Sequence, residues 1–227
     1  MRLKFRADDW FYGFAWYFLR FWLRLLFRME ACGLENIPMS GPLIVAPNHF
    51  SYLDPPVVGC ASHRPMRFMG KAELFRNRFV AMVLRGVHGF PVQRGTADLA
   101  AIRTALAELK KGEATLMFPE GGRNNGTALR PPNMGVALLA KMSGAKVMPV
   151  GVIGTEKAWP RGKKPRLAKI MVIFGKPLDY AEATQGMSEK EARDRFGWIV
   201  MEAIQSLLRE GGLEIEIADQ PELTAAQ

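Results

Sequence analysis

Short apolar runs alternating with helical stretches predict an α/β fold: a mostly parallel, mixed sheet flanked by helices, preceded by an amphipathic, aromatic-rich N-terminal helix. Two further observations support this. The apolar runs are short and alternate with helices whose ends carry capping signals, and the chain, 227 residues and 48% hydrophobic, is large enough to bury one sizeable core.

The strand candidates are Leu43 to Ala46, Met66 to Met69, Val87 to Val92, Ala114 to Phe118, Lys146 to Val152 and Lys169 to Phe174. Between them, Thr96 reads as the N-cap of a helix that runs to Lys111 and stops at Gly112, and Gly135 to Ser143 reads as another. The last helix has the clearest ends. Ser188 and Glu191 have capping-box spacing, and Gly211 and Gly212 follow its final turn.

The N-terminal helix is expected to start at Asp8 and Asp9, run to about Glu30 and stop at Gly33. At about 100° per residue, Arg20, Arg24 and Arg28 fall on one stripe with Asp9 and Gly13, while phenylalanine, tryptophan and leucine cover the remaining surface. Such a helix is either buried in the fold with its arginines outward or laid in a lipid headgroup layer, and its aromatic density and basic stripe favour the layer. Its longest uncharged run, Trp10 to Leu19, is well short of the ~20 residues that span a bilayer. The expected organisation is an interfacial helix in residues 1–34, a catalytic domain in 35–217 and a frayed tail in 218–227. On this reading the domain folds without residues 1–30.

Thirty-one Lys and Arg against 22 Asp and Glu, a net charge of +9, imply an anionic partner. Cys32 and Cys60 show no metal-ligand or disulfide spacing, so no metal site is expected and a cytoplasmic setting fits. A nucleic-acid partner would match the charge. No nucleic-acid fold motif is present, however, and the aromatics form a face rather than separate stacking platforms.

Three sequence motifs carry chemistry. In Pro47 to Pro56, His49 is the side chain best suited to take a proton near neutral pH. Asp54, five positions on, could hold the other ring nitrogen, although an Asp before Pro55 is also an ordinary helix cap. In Phe118 to Arg123, Gly121 and Gly122 let backbone N–H groups approach an anion, and Arg123 adds a permanently charged fork. Glu120 would repel a phosphate, so it is expected to position Arg123 or a neighbouring backbone. Lys71 and Arg94 follow two other strands, and with Arg123 they could converge on a phosphomonoester. The run Arg161 to Arg166 is basic as well, but such loops are more often solvated connections.

In this order the motifs resemble the glycerolipid acyltransferase family, in particular its branch acting on 1-acylglycerol 3-phosphate. His49 with Asp54 matches its first motif, Gly89 to Arg94 the second, Glu120 to Arg123 the third and Val147 to Val150 the fourth. Gly122 departs from a common threonine, Gln93 from a common acid and Asn133 from a common lysine. The resemblance implies the glycerolipid acyltransferase fold, with His49 as base and Asp54 as its orienting partner. It further implies a phosphate site of Lys71, Arg94 and Arg123, an acceptor pocket shaped by Glu120, Gly121 and Gly122, and an acyl side at Pro149. The implied reaction moves a fatty acyl chain from acyl-CoA or acyl carrier protein to a lysophospholipid, lysophosphatidic acid first. Another lysolipid or glycerol 3-phosphate is the alternative acceptor. The implied partners are a membrane surface with anionic headgroups, on its cytoplasmic face, and the acyl carrier, with no cofactor beyond the donor. The competing class is a basic lipid- or nucleic-acid-binding module without catalysis.

Overall fold

The computed structural model describes residues 10–92 and 99–220. Among the described residues, seven strands form one sheet in the order β1-β7-β6-β2-β5-β3-β4. They are β1 (Glu30–Cys32), β2 (Leu43–Pro47), β3 (Met66–Lys71), β4 (Gly89–Val92), β5 (Ala114–Leu116), β6 (Lys146–Ile153) and β7 (Met171–Phe174). Every neighbouring pair is parallel except β6 and β7. The chain is therefore the α/β protein its alternating pattern predicts.

Successive side chains of a strand point to opposite faces, and both faces of this sheet are covered. Leu43 and Val45 of β2 join a core with Val57 and Val58 of α2 (Asp54–Ala61) and Leu23 of α1 (Trp10–Phe27). Ile44 and Ala46 of the same strand face the other way. They join Ala105 and Leu109 of α4 (Leu99–Lys110), Leu139 of α5 (Gly135–Ser143) and Val200 and Ile204 of α8 (Glu189–Glu210). Between β3 and β4 lies α3 (Arg78–Gly86), and two short helices, α6 (Thr155–Ala158) and α7 (Tyr180–Ala183), flank β7.

Several boundaries follow sequence signals. α5 spans Gly135–Ser143, and α8 opens on the Ser188–Glu191 capping box and ends at Gly211. Thr96 lies outside the described residues. β1 has no apolar run to announce it; Glu30 and Cys32 are exposed and only Ala31 is half-buried. Its pairing with Met171 to Ile173 places it in the sheet, inside the segment assigned to the N-terminal helix. Gly33 thus follows a strand and does not stop the helix, which ends at Phe27. Its φ of +69° and the Phe174 carbonyl beside its Cα leave no room for a Cβ.

The docking of α1 departs from both sequence readings. Tyr12, Gly13, Trp16 and Leu23 are buried against the domain. Arg20, expected outward, points inward to α2, where its guanidinium donates to the Cys60 and Ala61 carbonyls while Trp16 Nε1 donates to those of Gly59 and Ser62. These are last-turn carbonyls with no intrahelical partner, and a cation there also meets the negative end of the helix dipole. The expected arginine stripe is split: Arg20 belongs to the packed face, and Arg24 and Arg28 are exposed. The broad aromatic face remains uncovered, with Trp10, Phe14, Tyr17, Phe18, Phe21, Trp22, Leu25 and Leu26 all exposed. Among the described residues, no helix is long and apolar enough to cross a membrane.

Candidate active site

β4, β3, β5, β2 and β6 run in the same direction, so their carboxyl ends open onto one edge of the sheet. In such sheets the residues following the strands collect in one crevice. β2 delivers His49, β3 delivers Lys71, and the turn after β5 delivers Glu120 to Arg123.

The His49 loop is fixed from three sides. Asn48, to which the sequence reading assigned no role, continues the sheet with its side chain: Nδ2 donates to the Val152 carbonyl at 2.9 Å and Oδ1 accepts the Val152 N–H at 2.7 Å. The His49 ring stacks on Phe118, with centroids 3.7 Å apart and planes at 16°. His49 Nδ1 lies 2.8 Å from Asp54 Oδ2. A carboxylate oxygen only accepts, so this nitrogen carries the proton and Nε2 is left as the basic one.

Asp54 is fully buried, and its Oδ2 also accepts the Phe50 and Ser51 N–H groups, each at 2.7 Å. These donors lie upstream of α2. The side chain therefore organises the His49 loop and does not cap its own helix, which begins after Leu53 with no side-chain cap.

His49 opens on a cleft of about 450 Å³. Its walls are mostly apolar, drawn from α1 (Tyr12, Trp16, Leu19), the first turns of α2 and residues 68–75, and Lys71 and Arg123 also line it. Lys71 is half-exposed and 3.2 Å from Glu73, while Arg123 lies 3.5 Å over the Tyr52 ring. A cation on an aromatic face keeps its outward N–H groups available. Arg94, the third cation of the expected phosphate site, lies outside the described residues.

Glu120 is buried, and its oxygens accept the backbone N–H groups of His49 (2.7 Å) and Arg130 (2.9 Å) and the Asn124 amide. Of its two expected tasks, it takes the neighbouring backbone and not Arg123. Burial pushes its carboxyl above the ordinary range, against the pull of those hydrogen bonds. Gly121 has a φ of +68° and a Cβ there would meet Asn133, so glycine keeps the turn tight. A Cβ on Gly122 would meet Arg130 Nη1 at 3.1 Å. Asn133 donates its N–H to the Pro119 carbonyl at 2.7 Å and so supports the same turn. Pro149 is buried in mid-β6, its carbonyl accepting from Gly175, and it is not part of the cleft wall.

The basic loop Arg161 to Arg166 is exposed and sits next to the His49 loop: Ser51 Oγ donates to the Trp159 carbonyl at 3.0 Å, and the Trp159 ring lies 5.9 Å from that of Tyr52. Cys60 lines the cleft from α2, its thiol pushed up to about 12 by burial, which keeps it protonated and a poor nucleophile.

A buried His–Asp pair opening on an apolar cleft that Lys71 and Arg123 also line suits acyl chemistry on an anionic amphiphile. The chain belongs to the acyltransferase family, whose family model matches residues 28–153. A 1-acyl-sn-glycerol-3-phosphate acyltransferase of Bacillus subtilis is 30% identical over 149 residues, 65% of this chain and 72% of that protein. One from Streptococcus pneumoniae is 32% identical over 62% of this chain, and there the match spans 51% of the relative's length. A lyso-ornithine lipid O-acyltransferase of Pseudomonas aeruginosa is 28% identical over 66% of this chain and 57% of its own. The crystal structure of the 1-acyl-sn-glycerophosphate acyltransferase PlsC from Thermotoga maritima superposes with a TM-score of 0.77 at 25% identity, covering 92% of this chain and 82% of that one.

Proposed function

We propose that the protein transfers a fatty acyl group from acyl-CoA or acyl carrier protein to the free hydroxyl of lysophosphatidic acid, giving phosphatidic acid, at a membrane surface. The observation that carries this is the His49–Asp54 pair at the head of an apolar cleft that Arg123 and Lys71 share. The names of the Bacillus and Streptococcus relatives and of the Thermotoga structure support the acceptor.

In this reading the apolar cleft takes hydrocarbon and its cations take the acceptor phosphate. His49 Nε2 removes the proton of the acceptor hydroxyl as its oxygen attacks the thioester carbonyl. Asp54 stabilises the imidazolium and holds the ring in the productive tautomer. The C–O bond forms, the C–S bond breaks, and the imidazolium returns its proton to the departing thiolate. The thioester is already activated, so no covalent enzyme intermediate is required.

The test is purified protein with a panel of lysolipids and both donor types, read by mass spectrometry. Acylation of none of them would overturn the proposal. The Pseudomonas relative favours a second reading, in which the acceptor lacks a phosphate. Arg123→Ala separates the two. If a phosphate sits there, the lost charge-assisted hydrogen bonds cost ~1.5–3 kcal/mol and raise KM for lysophosphatidic acid about tenfold or more. An acceptor without phosphate should keep its KM. An equal rise for both would mean that Arg123 is structural.

A further inference from the structure

His49 is held by two buried carboxylates. Asp54 meets the ring; Glu120, on the turn after β5, meets the backbone, its Oε1 accepting the His49 N–H at 2.7 Å. The Asn124 N–H donates to the His49 carbonyl at 2.9 Å, and Asn124 also donates its side-chain amide to Glu120 Oε2. Both backbone groups of His49 are therefore tied to the turn that carries Arg123.

The donors to Glu120 are all neutral, and among the described residues no Lys or Arg pairs with it. A buried carboxylate without a counter-cation is costly. A proton taken up by His49 would place a cation on the residue whose backbone N–H this carboxylate holds.

We propose that Glu120 is a positioning residue for His49 whose charge, together with that of Asp54, stabilises the imidazolium, and that it is not part of the acceptor-binding surface. This rests on His49 being the base.

The other ionisable groups around this cleft are Tyr12 on α1, Tyr52 on the His49 loop, Cys60 on α2, Lys71 at the end of β3 and Arg123. Lys71 and Arg123 oppose the carboxylates, but both are partly exposed and screened by solvent. Glutamine removes the charge of Glu120 and can match only one side of its site, because its amide turns a donor toward an N–H group. Aspartate keeps the charge on a shorter arm.

The sign follows from the charge. A carboxylate favours the protonated ring, so its removal makes His49 release its proton at lower pH. With three histidines in the full chain, 15N-histidine NMR resolves the titration, and His63→Gln and His88→Gln assign the other two. In Glu120→Gln the His49 midpoint should fall by about one pH unit, with the rising limb of kcat/KM moving in parallel. In Glu120→Asp both should stay near wild type. An unmoved midpoint in Glu120→Gln overturns the proposal, as do equal shifts in both variants, which would leave only a mechanical brace. A rise in acceptor KM with kcat and midpoint unchanged also overturns it, in favour of acceptor binding. If Glu120→Gln does not fold, the coupling is read in wild type, where the Glu120 carboxyl 13C signal, assigned with Glu120→Asp, must move with the His49 titration. A flat signal overturns the proposal. Loss of the His49 requirement in acyl transfer would instead strike the underlying catalytic reading, which the NMR midpoint does not judge.

Discussion

Replacing His49 with alanine should lower kcat by at least the ~10²-fold typical of a general base, while lysolipid binding is largely kept. The side chain is buried at the head of the cleft, and the backbone bonds to Glu120 and Asn124 survive its removal, so the loop has reason to stay in place. Asp54→Asn should do comparable damage by a different route. Its Oδ2 position accepts from the His49 ring and from two backbone N–H groups, and an amide can offer its one oxygen there but no charge to the imidazolium. Should the amide turn its NH2 toward those donors, the loop itself would loosen. Circular dichroism melts separate the two outcomes. Full activity in a folded His49→Ala protein would end the base mechanism.

The path from residues to fold was legible where backbone physics is local. The apolar runs of β2 and β6 are buried on both faces, and Ser188 with Glu191 close a capping box, because strand burial and capping need only neighbouring residues. β1 was not legible. Three residues including Glu30 carry no periodicity, and what makes them a strand is β7, about 140 residues further along the chain. The site divides in the same way. His49 and Asp54 are five apart and meet in space, as their spacing suggests. The ties from Asn48 to Val152 and from Glu120 to the His49 N–H cross the sheet, and no sequence spacing encodes them. Arg20 shows why the helical wheel misled: charge places a residue on a stripe, but a long side chain can turn its head to the carbonyls of a neighbouring helix end.

That packing changes what is expected of α1. Tyr12, Trp16 and Leu19 form part of the cleft wall, and Trp16 and Arg20 satisfy the end of α2, so removing residues 1–30 should cost the protein its cooperative melt, contrary to the sequence expectation of a folded remainder. Membrane docking has to be tested on the outer face alone. Phe14, Phe18, Phe21 and Trp22 are 41–63% exposed, and Phe14 stacks on Phe18 within that same face. Burying a large apolar side chain gains ~1.5–3 kcal/mol, so changing these four to glutamine should weaken vesicle binding by at least ~10²-fold even with partial insertion. On anionic lipid Arg24 and Arg28 should add roughly 1 kcal/mol each, a contribution that salt would weaken, whereas Arg20 should add none because it is turned inward. The fourfold variant should melt like wild type and still acylate a short, water-soluble acceptor. Trp16→Ala should behave in the opposite way, losing ~3–5 kcal/mol of stability while its vesicle binding per folded molecule persists. Sedimentation with vesicles and thermal melts of both proteins decide the matter. If the fourfold variant sediments like wild type, the aromatic face of α1 is not what holds this enzyme to lipid.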